Sequence, residues 1–193
     1  MNDPVKILVF AGSIRAGALS ARLAAAAAKQ LALIADTEVT QISLADYPLP
    51  IFNGDLEDEK GVPENATRLA RLLVAHQGVF IATPEYNHSL PPLLKNAIDW
   101  VSRIRSNAAM PYRHRVYGLG STSDGPIGGA RALIDLRKVI ATGLGAIVVP
   151  EKVEISRAQH AFDEAGELLD EIPQKRLTAV CRDLVALAGR FAG

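Results

Sequence analysis

Cysteine is nearly missing from this sequence: Cys181 is the only one among 193 residues. A lone thiol cannot close an internal disulfide and has no companion for a thiolate metal site, so a reducing compartment suits the chain. Four histidines, His76, His88, His114 and His160, lie scattered without ligand-like spacing, and no metal is expected. Neither charge sign is in excess, with Lys plus Arg at 21 and Asp plus Glu at 21. A neutral chain has no broad attraction for nucleic acid or anionic lipid, and neither is expected as a partner. No apolar run approaches the roughly 20 residues that cross a bilayer. The opening MNDPVKILVFAGS lacks the three-part pattern of a secretory leader. The expectation is a soluble protein that stays in the cytoplasm.

What is present is the balance of a globular α/β protein, with 49% hydrophobic and 22% charged residues. The length suits one domain over residues 1–193. Short apolar runs alternate with helical patterns, as in a parallel sheet covered by helices on both faces. The pattern predicts strands at about 6–11, 38–43, 79–83, 115–120 and 146–149. It predicts helices at about 18–34, 64–76, 90–105 and 129–142, and a last one to about 191 with a break at Pro173. Residues 46–63, with Pro48, Pro50, Gly54, Gly61 and Pro63, read as a long surface excursion. Five strands with crossover helices make a three-layer α/β sandwich, and such sheets bind ligands beyond the carboxyl ends of the strands.

Three strand ends carry unusual residues. After the first comes Gly12-Ser13-Ile14-Arg15-Ala16-Gly17-Ala18-Leu19-Ser20, and then a helix. A helix N-terminus offers amides and a favourable dipole to an anion, and Ser13, Arg15 and Ser20 can add donors. Gly12 and Gly17 have P-loop spacing, but Ala18 and Leu19 stand where Lys and Ser/Thr are required, and G-x-G-x-x-G is absent. What remains is a cradle for one terminal phosphate. The plainer account is a capped helix start with Ser20 in solvent.

The third strand leads into Thr83-Pro84-Glu85-Tyr86-Asn87-His88-Ser89-Leu90-Pro91-Pro92. Its prolines stiffen a loop that can present backbone groups to a flat heterocycle, although a proline-rich turn opening a helix would read the same way. The fourth strand ends in Gly120-Ser121-Thr122-Ser123-Asp124-Gly125-Pro126-Ile127-Gly128-Gly129, where small residues let a ligand lie against backbone.

The run Thr83-Pro84-Glu85-Tyr86-Asn87, then Ser89 and Pro91, then Leu94-Lys95-Asn96-Ala97-Ile98-Asp99-Trp100, resembles the signature of the NADPH-dependent FMN reductase family. Gly12-Ser13-Ile14-Arg15 resembles its phosphate loop. The family often has Ser and Asn where this chain has Ala18 and Ser20, and Pro-Gly where it has Pro91-Pro92. The resemblance implies a flavodoxin-like fold in which FMN meets Ser13, Arg15 and Ser20 at its phosphate. At the ring it implies Pro84, Glu85, Tyr86 and Asn87 on one side and Ser121, Thr122, Ser123 and Gly125 on the other. It implies NADPH or NADH as reductant and a small electron acceptor: a quinone, free flavin, azo compound or chromate-like oxyanion. The chemistry then belongs to the cofactor, and no side chain is needed as a catalytic nucleophile.

Two other classes stand beside this reading. A flavodoxin-like electron carrier would be strongly acidic for docking, which a neutral chain is not. A flavin-free binding protein is the reading that Ala18 and Ser20 would favour. The helix over 94–105 has Leu94, Ile98, Val101 and Ile104 on one side. Trp100 lies off that stripe, and related reductases pair through this helix. The expectation is a homodimer or homotetramer joined there, with Arg103 or Arg105 near the partner's flavin.

Overall fold

The computed structural model describes residues 3–105 and 110–191. Its strands are β1 (Val5–Ala11), β2 (Thr37–Ile42), β3 (Gly78–Pro84), β4 (Val116–Thr122) and β5 (Ile147–Ile155). Its α-helices are α1 (Leu19–Ala32), α2 (Gly54–Lys60), α3 (Glu64–Ala75), α4 (Pro92–Ser102), α5 (Ala130–Arg137) and α6 (Glu171–Ala188). The strands pair in parallel in the order β2-β1-β3-β4-β5. This is the five-stranded α/β sandwich that the alternating pattern predicts.

Burial follows strand position. β4 is buried along its whole length and β3 in all but its last residue, because helices cover both faces there. The edges β2 and β5 are only partly buried. One core packs α1 and α6 on the sheet through Leu23, Ala27, Val180 and Leu184. The other packs α3, α4 and α5 through Leu69, Leu94, Trp100 and Leu133. A Cβ at Gly120 would lie 2.9 Å from Leu23 and 3.0 Å from Val153, so glycine lets α1 seat closely over β4.

Three elements depart from the sequence expectation. β5 runs on to Ile155 instead of stopping before Pro150, and the register against β4 slips between Tyr117 and Leu119. A proline without an N–H is tolerated at an edge-strand irregularity of this kind. The excursion after β2 contains α2, which Asn53 caps by accepting from the Asp55 amide at 2.9 Å. Pro173 does not break α6; it lies in the first turn, where its missing N–H costs nothing.

The expected interface helix is also different. Leu94, Ile98, Trp100 and Val101 are all buried within the chain, Trp100 completely. Its indole Nε1–H donates to the Pro50 carbonyl at 2.7 Å, and its ring meets Phe52 edge-on. Arg103 is held by Glu57 of the same chain, its Nε donating at 2.7 and 2.9 Å to the two carboxylate oxygens. Trp100 therefore fastens the excursion to α4 and is spent on packing within the chain.

Candidate active site

Because β1, β3 and β4 are neighbours in the sheet, their carboxyl ends open side by side. The turns that follow them enclose a cleft of about 320 Å³.

From β1 come Ser13, Arg15, Ala18, Leu19 and Ser20. Gly17 turns the loop into α1 at φ 70°. Ala18 provides no side-chain cap, so the first-turn amides of α1 lack a side-chain acceptor, the state that favours an anion. The Arg15 amide donates to Ser13 Oγ at 3.3 Å, a local turn that holds the loop. Ser20 is only 1% exposed, and its hydroxyl has no hydrogen-bond partner among the described residues. The solvated first-turn serine of the plainer account is thus not what the fold builds. A buried orphan hydroxyl costs about 1–3 kcal/mol, and this one lies at the edge of the cleft.

From β3 come Pro84, Glu85 and Tyr86. Tyr86 and Ser89 exchange backbone hydrogen bonds at 2.9 and 3.1 Å around Asn87 (φ 49°) and His88 (φ 65°). Two consecutive positive φ values make a type I′ turn, in which asparagine is favoured. Asn87 serves that turn and does not line the cleft. The Glu85 carboxylate is committed elsewhere too: Oε2 accepts from the amides of Arg131 at 3.0 Å and Ala132 at 3.2 Å. It supplies the acceptor that Gly129, at the N-cap, cannot. Ser89 Oγ donates to Asp135 Oδ2 at 2.7 Å, so α5 grips the loop at both ends. That bond is the first cause holding the Asp135 carboxyl below its ordinary pKa, with Lys138 second.

From β4 come Thr122, Ser123, Asp124 and Gly125. Ser123 Oγ accepts from the Gly125 amide at 3.0 Å and fixes the turn. Ser121 is fully buried outside the cleft lining, its hydroxyl donating to the Gly128 carbonyl at 2.7 Å. It braces Gly128 and Gly129, which take φ 62° and 82°. A Cβ at Gly128 would fall 2.9 Å from the Ile155 and Ser156 backbone.

The cleft therefore gathers every sequence-predicted residue except Asn87 and Ser121, and adds Ala18, Leu19 and Asp124. Strand alternation carried the signal for Ser121, since it sends successive side chains to opposite faces. A larger groove of about 580 Å³ lies between α1 and α6. Of its polar groups, Thr178 pairs with Gln30 and Lys175 with Glu171, and among the described residues its walls carry no buried side chain without a partner.

The description of NADPH-dependent FMN reductases matches residues 5–160. The chain belongs to the NADPH-dependent FMN reductase family. An NAD(P)H-dependent FMN reductase of Pseudomonas aeruginosa is 36% identical over 186 residues, 93% of this chain and 95% of that protein. The quinone reductase of Escherichia coli K12 is 33% identical over 181 residues, 92% of each. Among solved structures, a flavoenzyme NAD(P)H:(acceptor) oxidoreductase of Paracoccus denitrificans superposes with a TM-score of 0.76 at 27% identity. That match covers 98% of this chain and all of the other. As in its FMN reductase relatives, the sheet is flavodoxin-like, and the matched region contains all three turns of the cleft.

Proposed function

We propose that the cleft at the ends of β1, β3 and β4 holds FMN and that the chain passes two electrons from NAD(P)H to a small acceptor, with quinones as the favoured class. Family membership makes the chain an oxidoreductase that uses FMN and NAD(P)H; the site and the acceptor are our inference. The observation that carries the site is the buried, unpartnered Ser20 hydroxyl beside an α1 N-terminus without a side-chain cap. Together with Ser13 and Arg15 they form the donor set that a phosphate monoester takes. Bound there, FMN supplies the two-electron chemistry.

The chain's own residues bind and orient. Ser13, Arg15 and Ser20 hold the phosphate end. The bracket from Pro84 to Ser89, fixed to α5, presents its backbone to one side of the ring plane, and Thr122 to Gly125 close the other. Glu85, committed to α5, acts here through the loop it holds. NAD(P)H and acceptor then share the open side of the cleft in turn. No helix described is long and apolar enough to cross a membrane. The reading further places the protein in the cytoplasm, where a reduced nicotinamide is at hand. It also takes the working form to be a homo-oligomer, joined by a surface other than Trp100.

The test is titration with FMN and with riboflavin, which differ only in the phosphate. Arg15→Ala removes one charge-assisted contact worth about 1.5–3 kcal/mol and should weaken FMN roughly tenfold. Riboflavin binding should stay as it was. Equal losses for both ligands would remove Arg15 from the phosphate end.

A further inference from the structure

Beside Glu85, which lines the cleft, sits an arginine–histidine pair that the FMN reading leaves without a role. Arg131, near the start of α5, donates from Nη1 to Nδ1 of His88, in the turn after β3, at 3.0 Å. With Nδ1 accepting, the histidine proton sits on Nε2. Both side chains are open to water, Arg131 53% and His88 73% exposed. The nearest carboxylate is Glu85, whose Oε1 lies 3.9 Å from Arg131 Nη1 and 3.6 Å from His88 Nδ1. Its other oxygen is occupied by the α5 amides, and the side chain is only 9% exposed. The rest of the guanidinium fork and the Nε2–H have no hydrogen-bond partner among the described residues.

Across the cleft, the exposed Arg157 holds a left-handed backbone at φ 47°, its amide bonded to the Gly125 carbonyl at 3.2 Å. Arg15 lines the cleft itself, together with Glu85 and Asp124.

We propose that Arg131 and His88 bind the 2′-phosphate of NADPH and thereby set the preference for NADPH over NADH; this rests on the FMN reductase reading above. A phosphate monoester is a dianion whose oxygens match the planar guanidinium fork. A nicotinamide laid in the cleft leaves its adenosine half outside, against the rim. The pyrophosphate is common to both reductants and cannot discriminate between them. Only the 2′-phosphate can, and a basic pair with spare donors is what recognises it.

Two measurements on the protein as purified with FMN test this. Calorimetry compares adenosine 2′,5′-bisphosphate with 5′-AMP, and steady-state kinetics compares NADPH with NADH. Arg131→Ala is suited to the purpose, since Glu85 holds a backbone amide that alanine keeps. His88→Gly is the second variant, because glycine accepts the positive φ freely. The wild-type protein should bind the bisphosphate about tenfold more tightly than 5′-AMP, and Arg131→Ala should erase that difference. The same variant should raise KM for NADPH about tenfold with kcat retained, the effect of one lost charge-assisted contact, and KM for NADH no more than about twofold. His88→Gly should act in the same direction and less. Equal changes for the two nucleotides, an intact preference in Arg131→Ala, or a KM effect confined to an anionic acceptor would each overturn the proposal. Failure of the FMN reading looks different: the wild-type protein would oxidise neither nicotinamide, and the bisphosphate titration would decide the rim alone.

Discussion

Ser20 and Cys181 are both buried polar side chains, and their surroundings give them opposite fates. Ser20 Oγ is orphaned at the edge of a cleft, so removing it from the flavin-free protein removes a desolvation penalty. Ser20→Ala should therefore leave urea stability of the flavin-free protein unchanged or raise it by up to about 1 kcal/mol, while weakening FMN several-fold and sparing riboflavin. A loss of stability without flavin would mean that the hydroxyl supports the fold. Cys181 packs in the α1–α6 core, and burial pushes its thiol up to about 12. Thiolate is the nucleophile, so the native protein should resist a disulfide reagent at neutral pH and react only on unfolding. The donor chemistry of Ser13, Arg15 and Ser20 was legible in the sequence because it follows from residue type and a strand-turn-helix setting. The burial of Ser20 was not, because it depends on how closely α1 sits on the sheet at Gly120.

The loop after β3 and helix α5 work as one unit, since Glu85 and Ser89 reach from the loop to the start and the middle of the helix. Glu85→Gln keeps an acceptor for both amides and should retain most of the stability, whereas Glu85→Ala should cost about 1 kcal/mol, the usual loss of a helix cap. Amide exchange at Arg131 and Ala132 should accelerate only in the alanine variant. A carboxylate serving the flavin instead would leave those two amides unmoved. The Ser89–Asp135 tie is acid-sensitive in a definite direction. The Asp135 pKa is lowered in the folded state, so its stabilisation is complete above the ordinary carboxyl range and lost as pH falls through the lowered value. Ser89→Ala should flatten that part of the pH–stability curve. The contacts behind these effects join residues 46 apart in sequence, as Glu85 to Arg131 and Ser89 to Asp135, and no local pattern announces them. α2 was different. Asn53 followed by Asp55 and Glu57, with Gly61 after the last turn, is a helix signal in the letters, masked by the surrounding prolines. β5 was cut short because Pro150 usually ends a strand, and only its edge position and the slipped register make the continuation tolerable.

On the scale of the whole molecule, the motif residues of α4 act inward. Asn96 Nδ2 and Trp100 Nε1 both donate to the Pro50 carbonyl, at 2.8 and 2.7 Å, and Asn96 Oδ1 accepts from the Phe52 amide at 2.8 Å. The excursion is thereby pinned over the second core, and the apolar stripe with Trp100 beside it, which reads as an interface, is intramolecular packing. Periodicity shows that a face is apolar but not what covers it. In this fold the cover is the chain's own loop, brought back from about 46 residues earlier. Trp100→Ala should cost about 3–5 kcal/mol, a large part of the 5–15 kcal/mol that usually holds a folded protein. Trp100→Phe keeps most of the packing against Phe52 and loses one hydrogen bond to a carbonyl that Asn96 still serves, so about 1 kcal/mol is expected. Urea midpoints measure both losses. Sedimentation of the Trp100→Phe protein should give the wild-type mass, whatever that mass is, because the indole is fully buried within its own chain. A lower mass at unchanged stability would return Trp100 to an interface and sink this account of the helix.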